Sequence, residues 1–332
     1  MQPDILILGG DGMLGNKIFQ RLRASAATVC TVRGDSPPPV DLLAGTDVIH
    51  GVDLMHLDRT AELLAGLRPQ FVINCAGIVK QRAQSSDAIP SFTINSLLPH
   101  CLAQWCAPWN GRLIHFSTDC VFSGSVSNGR QGGYREDDPS DAADLYGRSK
   151  FLGEVHAHNA LTLRTSIIGR ELARHGSLLD WFLAQNHGQV RGFRRVIYSG
   201  VTTNHLAELV ERIVLRHPGL TGLYQVVAAP ISKYDLLLSI RDAYGMDIEI
   251  APDETEISDR SMRGDKLRAA IRYQAPPWPE LIAQLAQDPT PYERWNDSAT
   301  PLGRSEFRRQ ENPDYRWHRL AGQDAGQAPA HR

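Results

Sequence analysis

Apolar residues fall along this chain in short unbroken runs separated by amphipathic stretches, and that alternation predicts the fold class. Ile5-Leu6-Ile7-Leu8 is apolar at every position, as a parallel strand covered on both faces must be. Residues 16–22 follow as an amphipathic helix with Ile18, Phe19 and Leu22 on one face. Further strands are predicted at 28–32, 48–54, 71–77, 113–119 and 160–168, with helices near Asp58, at 94–105 and around Tyr146. Strand and helix alternate strictly up to this point. This predicts an α/β protein with a doubly wound parallel sheet, a Rossmann domain over residues 1–170. After Gly169 the elements shorten: helices at 178–184, 206–215 and 233–244, a strand at 222–227, and an arginine-bearing stretch at 190–198. With the elements at 259–267 and 276–285 these predict a smaller α/β substrate-binding domain over 171–288, some of it completing the sheet. Residues 289–332 are rich in proline and charge and poor in apolar residues, so a mobile or loosely attached tail is expected.

Composition narrows the class. The 332 residues can bury a sizeable core, and 42% hydrophobic with 22% charged residues is the balance of an ordinary globular protein. A net charge of −2 gives no electrostatic case for a nucleic-acid or membrane-surface partner. No apolar run approaches the roughly 20 residues that span a bilayer. The five cysteines form no CxxC pair, and no basic leader precedes the first strand; both lead to the expectation of a cytoplasmic protein with reduced thiols. Twelve histidines without HxxH or HExxH spacing give no metal site to propose.

The first strand runs into Gly9-Gly10-Asp11-Gly12-Met13-Leu14-Gly15 and then a helix, the context a dinucleotide-binding turn requires. Gly9 allows the tight turn, Gly12 lets backbone approach a pyrophosphate, and Gly15 lets helix and strand pack closely. The helix start at Met13 and Leu14 then offers unpaired N–H groups to phosphate. Arg33 ends the second strand, where an arginine can grip a ribose 2′-phosphate, so NADP(H) is expected over NAD(H). Asp53, with Leu54 beside it, either meets the adenine edge or caps the following helix. Ala76 and Gly77 end the fourth strand in small side chains that leave room for a cofactor. Arg191, Arg194 and Arg195 either clamp a diphosphate or line a solvated strand edge.

Tyr146 and Lys150 stand one helical turn apart on one face. An ammonium beside a phenol favours its ionised form and draws its pKa toward neutrality, which suits proton transfer. Thr118 ends the fifth strand, at the sheet edge where ligands bind in open α/β folds.

The order and spacing of Gly9–Gly15, Phe116-Ser117-Thr118-Asp119-Cys120-Val121-Phe122-Ser123-Gly124, Tyr146-Gly147-Arg148-Ser149-Lys150 and Leu163-Arg164-Thr165-Ser166 resemble the extended short-chain dehydrogenase/reductase family. Within it the chain is most similar to sugar-nucleotide reductases of the dTDP-4-dehydrorhamnose reductase type. The likeness is strong over 1–170 and weaker to about 287, with a cue in Gly222-Leu223-Tyr224. The resemblance implies that Tyr146 protonates a sugar carbonyl oxygen, Lys150 holds the nicotinamide ribose and lowers the tyrosine pKa, and Thr118 orients the carbonyl. Related 4,6-dehydratases carry Thr-Asp-Glu where this chain has Thr118-Asp119-Cys120, and a thiol is a poor base for a carbon-bound proton. Dehydration is therefore disfavoured, Asp119 is left a structural part, and Cys120 is placed against the substrate. Thr202 stands where the family often has proline, and Arg263 where it commonly has asparagine or aspartate. Both departures bear on the sugar and nucleotide, not on hydride transfer.

The expected function is NADPH-dependent reduction of a dTDP- or UDP-linked 4-keto-6-deoxyhexose in deoxysugar biosynthesis, with a homodimer left open as the assembly. Two other readings stay open. An epimerase would retain its NAD(P) and consume none, and a cofactor-binding regulatory subunit would have no use for Thr118, Tyr146 and Lys150 together.

Overall fold

Each apolar run identified above becomes a buried strand because helices cover both faces of the sheet. In a computed structural model of the chain, residues 3–34, 41–43, 45–79, 87–125, 133–172 and 176–293 are described. The first half runs β1 (Ile5–Leu8), α1 (Met13–Leu22), β2 (Thr28–Thr31), β3 (Val48–Ile49), α2 (Leu57–Leu67) and β4 (Phe71–Asn74). It continues through α3 (Ala88–Ser91), a π-helical segment (Phe92–Leu97), α4 (Leu98–Cys106), β5 (Arg112–Thr118), α5 (Leu145–Leu152) and β6 (Ala160–Thr165). Then come β7 (Ile167–Ile168), α6 (Leu178–Leu183), β8 (Gln189–Phe193), β9 (Val196–Tyr198), β10 (Val201–Thr202), α7 (Thr203–Arg216) and β11 (Gly222–Gln225). The last elements are β12 (Ile231–Ser232), α8 (Lys233–Tyr244), β13 (Glu249–Asp253), β14 (Ser258–Asp259), α9 (Asp265–Ile271) and α10 (Trp278–Ala286).

The main sheet has seven strands in the order β11-β6-β5-β4-β1-β2-β3, and every neighbouring pair is parallel. The chain winds outward from β1 to β3, returns to β4 and winds the other way. The crevice between β1 and β4 is thus the topological switch point, where open α/β sheets bind ligands. Alternate residues of each strand feed two cores. Ile5, Ile7, Ile73, Ile114 and Phe116 pack with Phe19, Leu206, Val210 and Ile213, while Leu6, Leu8, Val72 and Leu113 pack with Leu64, Leu98 and Leu102.

Several boundaries differ from the sequence expectation. The third strand stops at Ile49, short of 54, because it lies at the sheet edge and pairs on one side only. The sixth breaks at Ser166, and β7 leaves the main sheet to pair with β10. The stretch 190–198 is two strands: β8 pairs with β13, and β9 pairs with β12 and β14. β11 joins the far edge of the main sheet, so the later half of the chain completes it.

From 294 onward the expected tail lies outside the described residues, but its first residues are docked. Asp288 pairs with Lys17 of α1 at 2.5 Å, Lys17 also donates to Thr290 Oγ1 at 2.7 Å, and Tyr292 is buried. The Lys17 ammonium and the Arg170 guanidinium lie 5.4 Å and 4.8 Å from the Tyr292 ring centroid. Among the described residues no helix is long and apolar enough to cross a membrane.

Candidate active site

At the switch point, Gly9 holds φ +81°, a left-handed backbone suited to glycine, and a Cβ there would stand 3.2 Å from Ala76 N. Gly15 lets α1 descend onto the turn: a Cβ would lie 2.0 Å from the Gly9 carbonyl oxygen. The turn is tied down by Gly10 N donating to Thr31 O and by Asn16 Nδ2 donating to Gly12 O. Gly12 is the N-cap of α1, and no side chain caps the helix. Met13 and Leu14 therefore open a helix whose first-turn amides are left to a ligand, with the positive dipole end behind them. Small side chains, backbone amides and a helix start facing the crevice fit a dinucleotide pyrophosphate.

The residues expected around the adenosine end are arranged less uniformly. Arg33 is exposed two residues past β2. Asp53 Oδ1 accepts from Met55 N at 3.0 Å, so its carboxylate serves the turn into α2, and Leu54 is buried beside it. Cys30 packs under Gly10, and burial, with Asp47 and Asp11 nearby, pushes its thiol up to about 12. Ala76 and Gly77 are half-buried past β4, and Ala76 N donates to Asn74 Oδ1 at 3.2 Å. That bond fixes the amide, so Asn74 Nδ2 donates to His115 Nδ1 at 3.2 Å. His115 is wholly buried, and burial first and the Lys150 charge second hold its pKa well below the ordinary range. It is neutral, with its proton on Nε2.

The reacting end is built by β5 and α5. Thr118 is buried at the end of β5; its hydroxyl donates to Asp119 Oδ1 and accepts from Cys120 N, both at 3.1 Å. Asp144 caps α5 by accepting from Gly147 N at 2.8 Å. Gly147 sets the approach of that helix to β5, because a Cβ would fall 2.2 Å from the Cys120 carbonyl oxygen. Tyr146, next to it in the first turn of α5, is half-buried. Lys150 is buried and donates from Nζ to the Phe116 carbonyl at 2.6 Å. Burial pushes Lys150 down to about 8, with Glu154 and then Cys75 acting against it.

Sequence reasoning missed Asn95. Its side chain accepts from Ile78 N, donates to Ile78 O, both at 2.9 Å, and donates to Ser149 Oγ at 3.1 Å. It thereby ties the stretch beyond β4 to α5, from the π-helical segment, a distortion that recurs at functional sites. The available signal was an asparagine between Ile94 and the run Leu97-Leu98, in the stretch predicted as a helix at 94–105.

The three arginines do not act together. Arg191 is paired with Asp253, Arg194 faces Glu254 at 3.8 Å and lies 4.9 Å from the Tyr234 ring centroid, and Arg195 is exposed before β9. Arg260 instead reaches the turn after β5, with Nη1 3.9 Å from Cys120 Sγ. The two family departures have local explanations. Thr202 caps α7 by accepting from His205 N at 3.3 Å, and Arg263 pairs with Asp265 at 2.8 Å.

A seven-stranded parallel sheet with a glycine turn at its switch point, and a Tyr146–Lys150 helix beside the Thr118 strand end, define a Rossmann-like α/β protein. The chain belongs to the RmlD substrate binding domain family, whose domain matches residues 2–288. It is 32% identical over 167 residues to a probable low-salt glycan biosynthesis reductase of Haloferax volcanii, covering 49% of this chain and 52% of that one. It thus spans about half the length of that relative. It is 28% identical over 250 residues to a probable dTDP-4,6-dihydroxy-2-methyloxan-3-one 4-ketoreductase of Streptomyces antibioticus, covering 70% and 74%. The same fold is found in the dTDP-4-dehydrorhamnose reductase of Bacillus anthracis solved with NADP, at TM-score 0.70 and 20% identity over 86% of this chain and 98% of that one.

Proposed function

We propose that the chain is an NADPH-dependent reductase of a nucleotide-linked 4-keto-6-deoxyhexose. The observation that carries this reading is the junction of β5 and α5: a buried Lys150 held on Phe116, two residues before Thr118 and one turn after Tyr146. Carbonyl reduction develops negative charge on oxygen, and a donor must already be aimed there. Tyr146 gives its phenolic proton to that oxygen, and Thr118 holds the oxygen toward it. Lys150 anchors the nicotinamide ribose and favours the phenolate left behind. The bound dinucleotide supplies the hydride. Cys120 occupies the position at which elimination would need a carboxylate, which supports reduction over dehydration. The names of two relatives, a probable glycan biosynthesis reductase and a probable 4-ketoreductase of a dTDP-linked compound, support the substrate class.

Purified protein mixed with dTDP- and UDP-linked 4-keto-6-deoxy sugars is expected to consume NADPH, read at its absorbance. No consumption with any member of the panel sinks the reading, and turnover without net consumption points to an epimerase. The preference for NADP(H) rests on Arg33. Arg33→Ser is expected to raise the KM for NADPH about tenfold relative to NADH, the loss of one charge-assisted contact. An unchanged ratio removes Arg33 from that role.

A further inference from the structure

Tyr146, Lys150 and Glu154 follow one another at one-turn intervals along α5 and just past its C-cap, Gly153. β5 grips the last two from adjacent residues. The Phe116 carbonyl accepts from Lys150 Nζ at 2.6 Å, and the Ser117 hydroxyl donates to Glu154 Oε1 at 2.6 Å. Arg164 on β6 completes the arrangement, donating from Nε to Oε1 at 2.8 Å and from Nη2 to Oε2 at 2.7 Å. Both side chains of this ion pair are only 2% exposed.

A buried ion pair is weak as a stabilising device, since an apolar pair of similar volume does as well or better. Its position therefore calls for another account. Glu154, Cys75 past β4 and His115 on β5 are the titratable groups that bear on Lys150, and Tyr146 stands one turn before it on the same helix. Burial keeps the Cys75 thiol protonated, and burial together with Lys150 keeps His115 neutral. Of these groups Glu154 is the carboxylate, and it is paired with Arg164.

We propose that the Ser117–Glu154–Arg164 network is a positioning device that fixes a carboxylate one turn beyond Lys150 so that this buried lysine keeps its charge. Its use rests on the reductase reading; its test does not. Burial pushes Lys150 down to about 8, and Glu154 is the strongest influence in the other direction. Without that carboxylate burial acts nearly unopposed, and a larger share of the lysine is neutral at working pH. Arg164 holds the Glu154 carboxylate in place through both oxygens, and it brings a second positive charge on the far side of that carboxylate.

The titration of Lys150 can be read in the full chain by acetic anhydride labelling across pH, with mass spectrometry of the peptide that carries it. The wild-type midpoint is expected near about 8. Glu154→Gln combined with Arg164→Met removes both charges together and is expected to lower the midpoint by about one pH unit. Glu154→Gln alone leaves Arg164 as an uncompensated cation and is expected to lower it further. Ser117→Ala removes a hydrogen bond and no charge, and is expected to leave the midpoint within a few tenths. A network that is merely structural moves stability without this ordering, so a midpoint unchanged in whichever Glu154 variant folds overturns the proposal. In NADPH turnover the alkaline limb of kcat/KM is expected to follow the lysine midpoint. A shifted midpoint in protein that reduces no keto sugar sinks the reductase reading and leaves the network's role standing.

Discussion

On the proposed reading, Tyr146→Phe is expected to lower turnover by roughly 10²-fold or more while NADPH still binds, because the reaction loses its proton donor and the ring is kept. The ring is only half-buried, so the phenyl group keeps its place at little cost. The elements that fix its position lie elsewhere: the Asp144 cap, the close approach of Gly147 to the Cys120 carbonyl, and the Asn95–Ser149 bond. None depends on the phenol. Without the phenol, the developing oxyanion of the proposed reaction meets Thr118 alone, and no proton is delivered. The proposed dinucleotide site is the glycine turn and the start of α1, so NADPH fluorescence titration is expected to match wild type. Turnover equal to wild type would take the proton-donor role away from Tyr146. Loss of NADPH binding would show that the substitution had disturbed the fold of the site.

How much of this was legible in the sequence depends on whether a residue's role is set locally. Gly9, Gly12 and Gly15 are legible because a turn that meets a helix leaves few residue types a choice. Tyr146 and Lys150 are legible because helical spacing alone puts them on one face. Thr118 follows from its place at a strand end. The arginines of 190–198 were illegible because their partners, Asp253 and Glu254, lie some sixty residues later and meet them only through the β8–β13 pairing. Arg260 arrives beside Cys120 for the same non-local reason. Asp53 was a choice between two local roles, and the Met55 amide takes its carboxylate. The Glu154–Arg164 pair was hidden differently. Both residues sit in stretches that announce a helix end and a strand, and only the β5–β6 pairing shows that they meet.

Asp288→Ala is expected to destabilise the chain by about 3–5 kcal/mol, the range for stranding one member of a buried ion pair. The Lys17 and Asp288 side chains are 6% and 4% exposed, and Lys17 sits mid-way along α1, the helix that opens the dinucleotide site. Burial works against both groups. It drives the Lys17 ammonium below its ordinary range in spite of the Asp288 hydrogen bond and charge. It would also raise the Asp288 carboxyl, but the Lys17 bond and charge and the Thr290 bonds outweigh it and hold that carboxyl low. Both groups thus gain from the pairing and both lose from burial, which for the ammonium outweighs the gain, so the intact pair contributes little net and the broken one costs the full burial of a lone cation. Lys17→Met combined with Asp288→Leu is accordingly expected to recover most of the loss, as urea or guanidinium unfolding can measure. The pH dependence follows from the sign of the Asp288 shift. Its contribution is fully present above the unfolded carboxyl value of about 4 and is lost as pH falls through the lower folded value. The gap between wild type and Asp288→Ala should therefore be widest near neutrality and narrow in acid. A gap that stays constant down through that window would mean that the carboxylate's charge is not what holds residues 288–293 against α1.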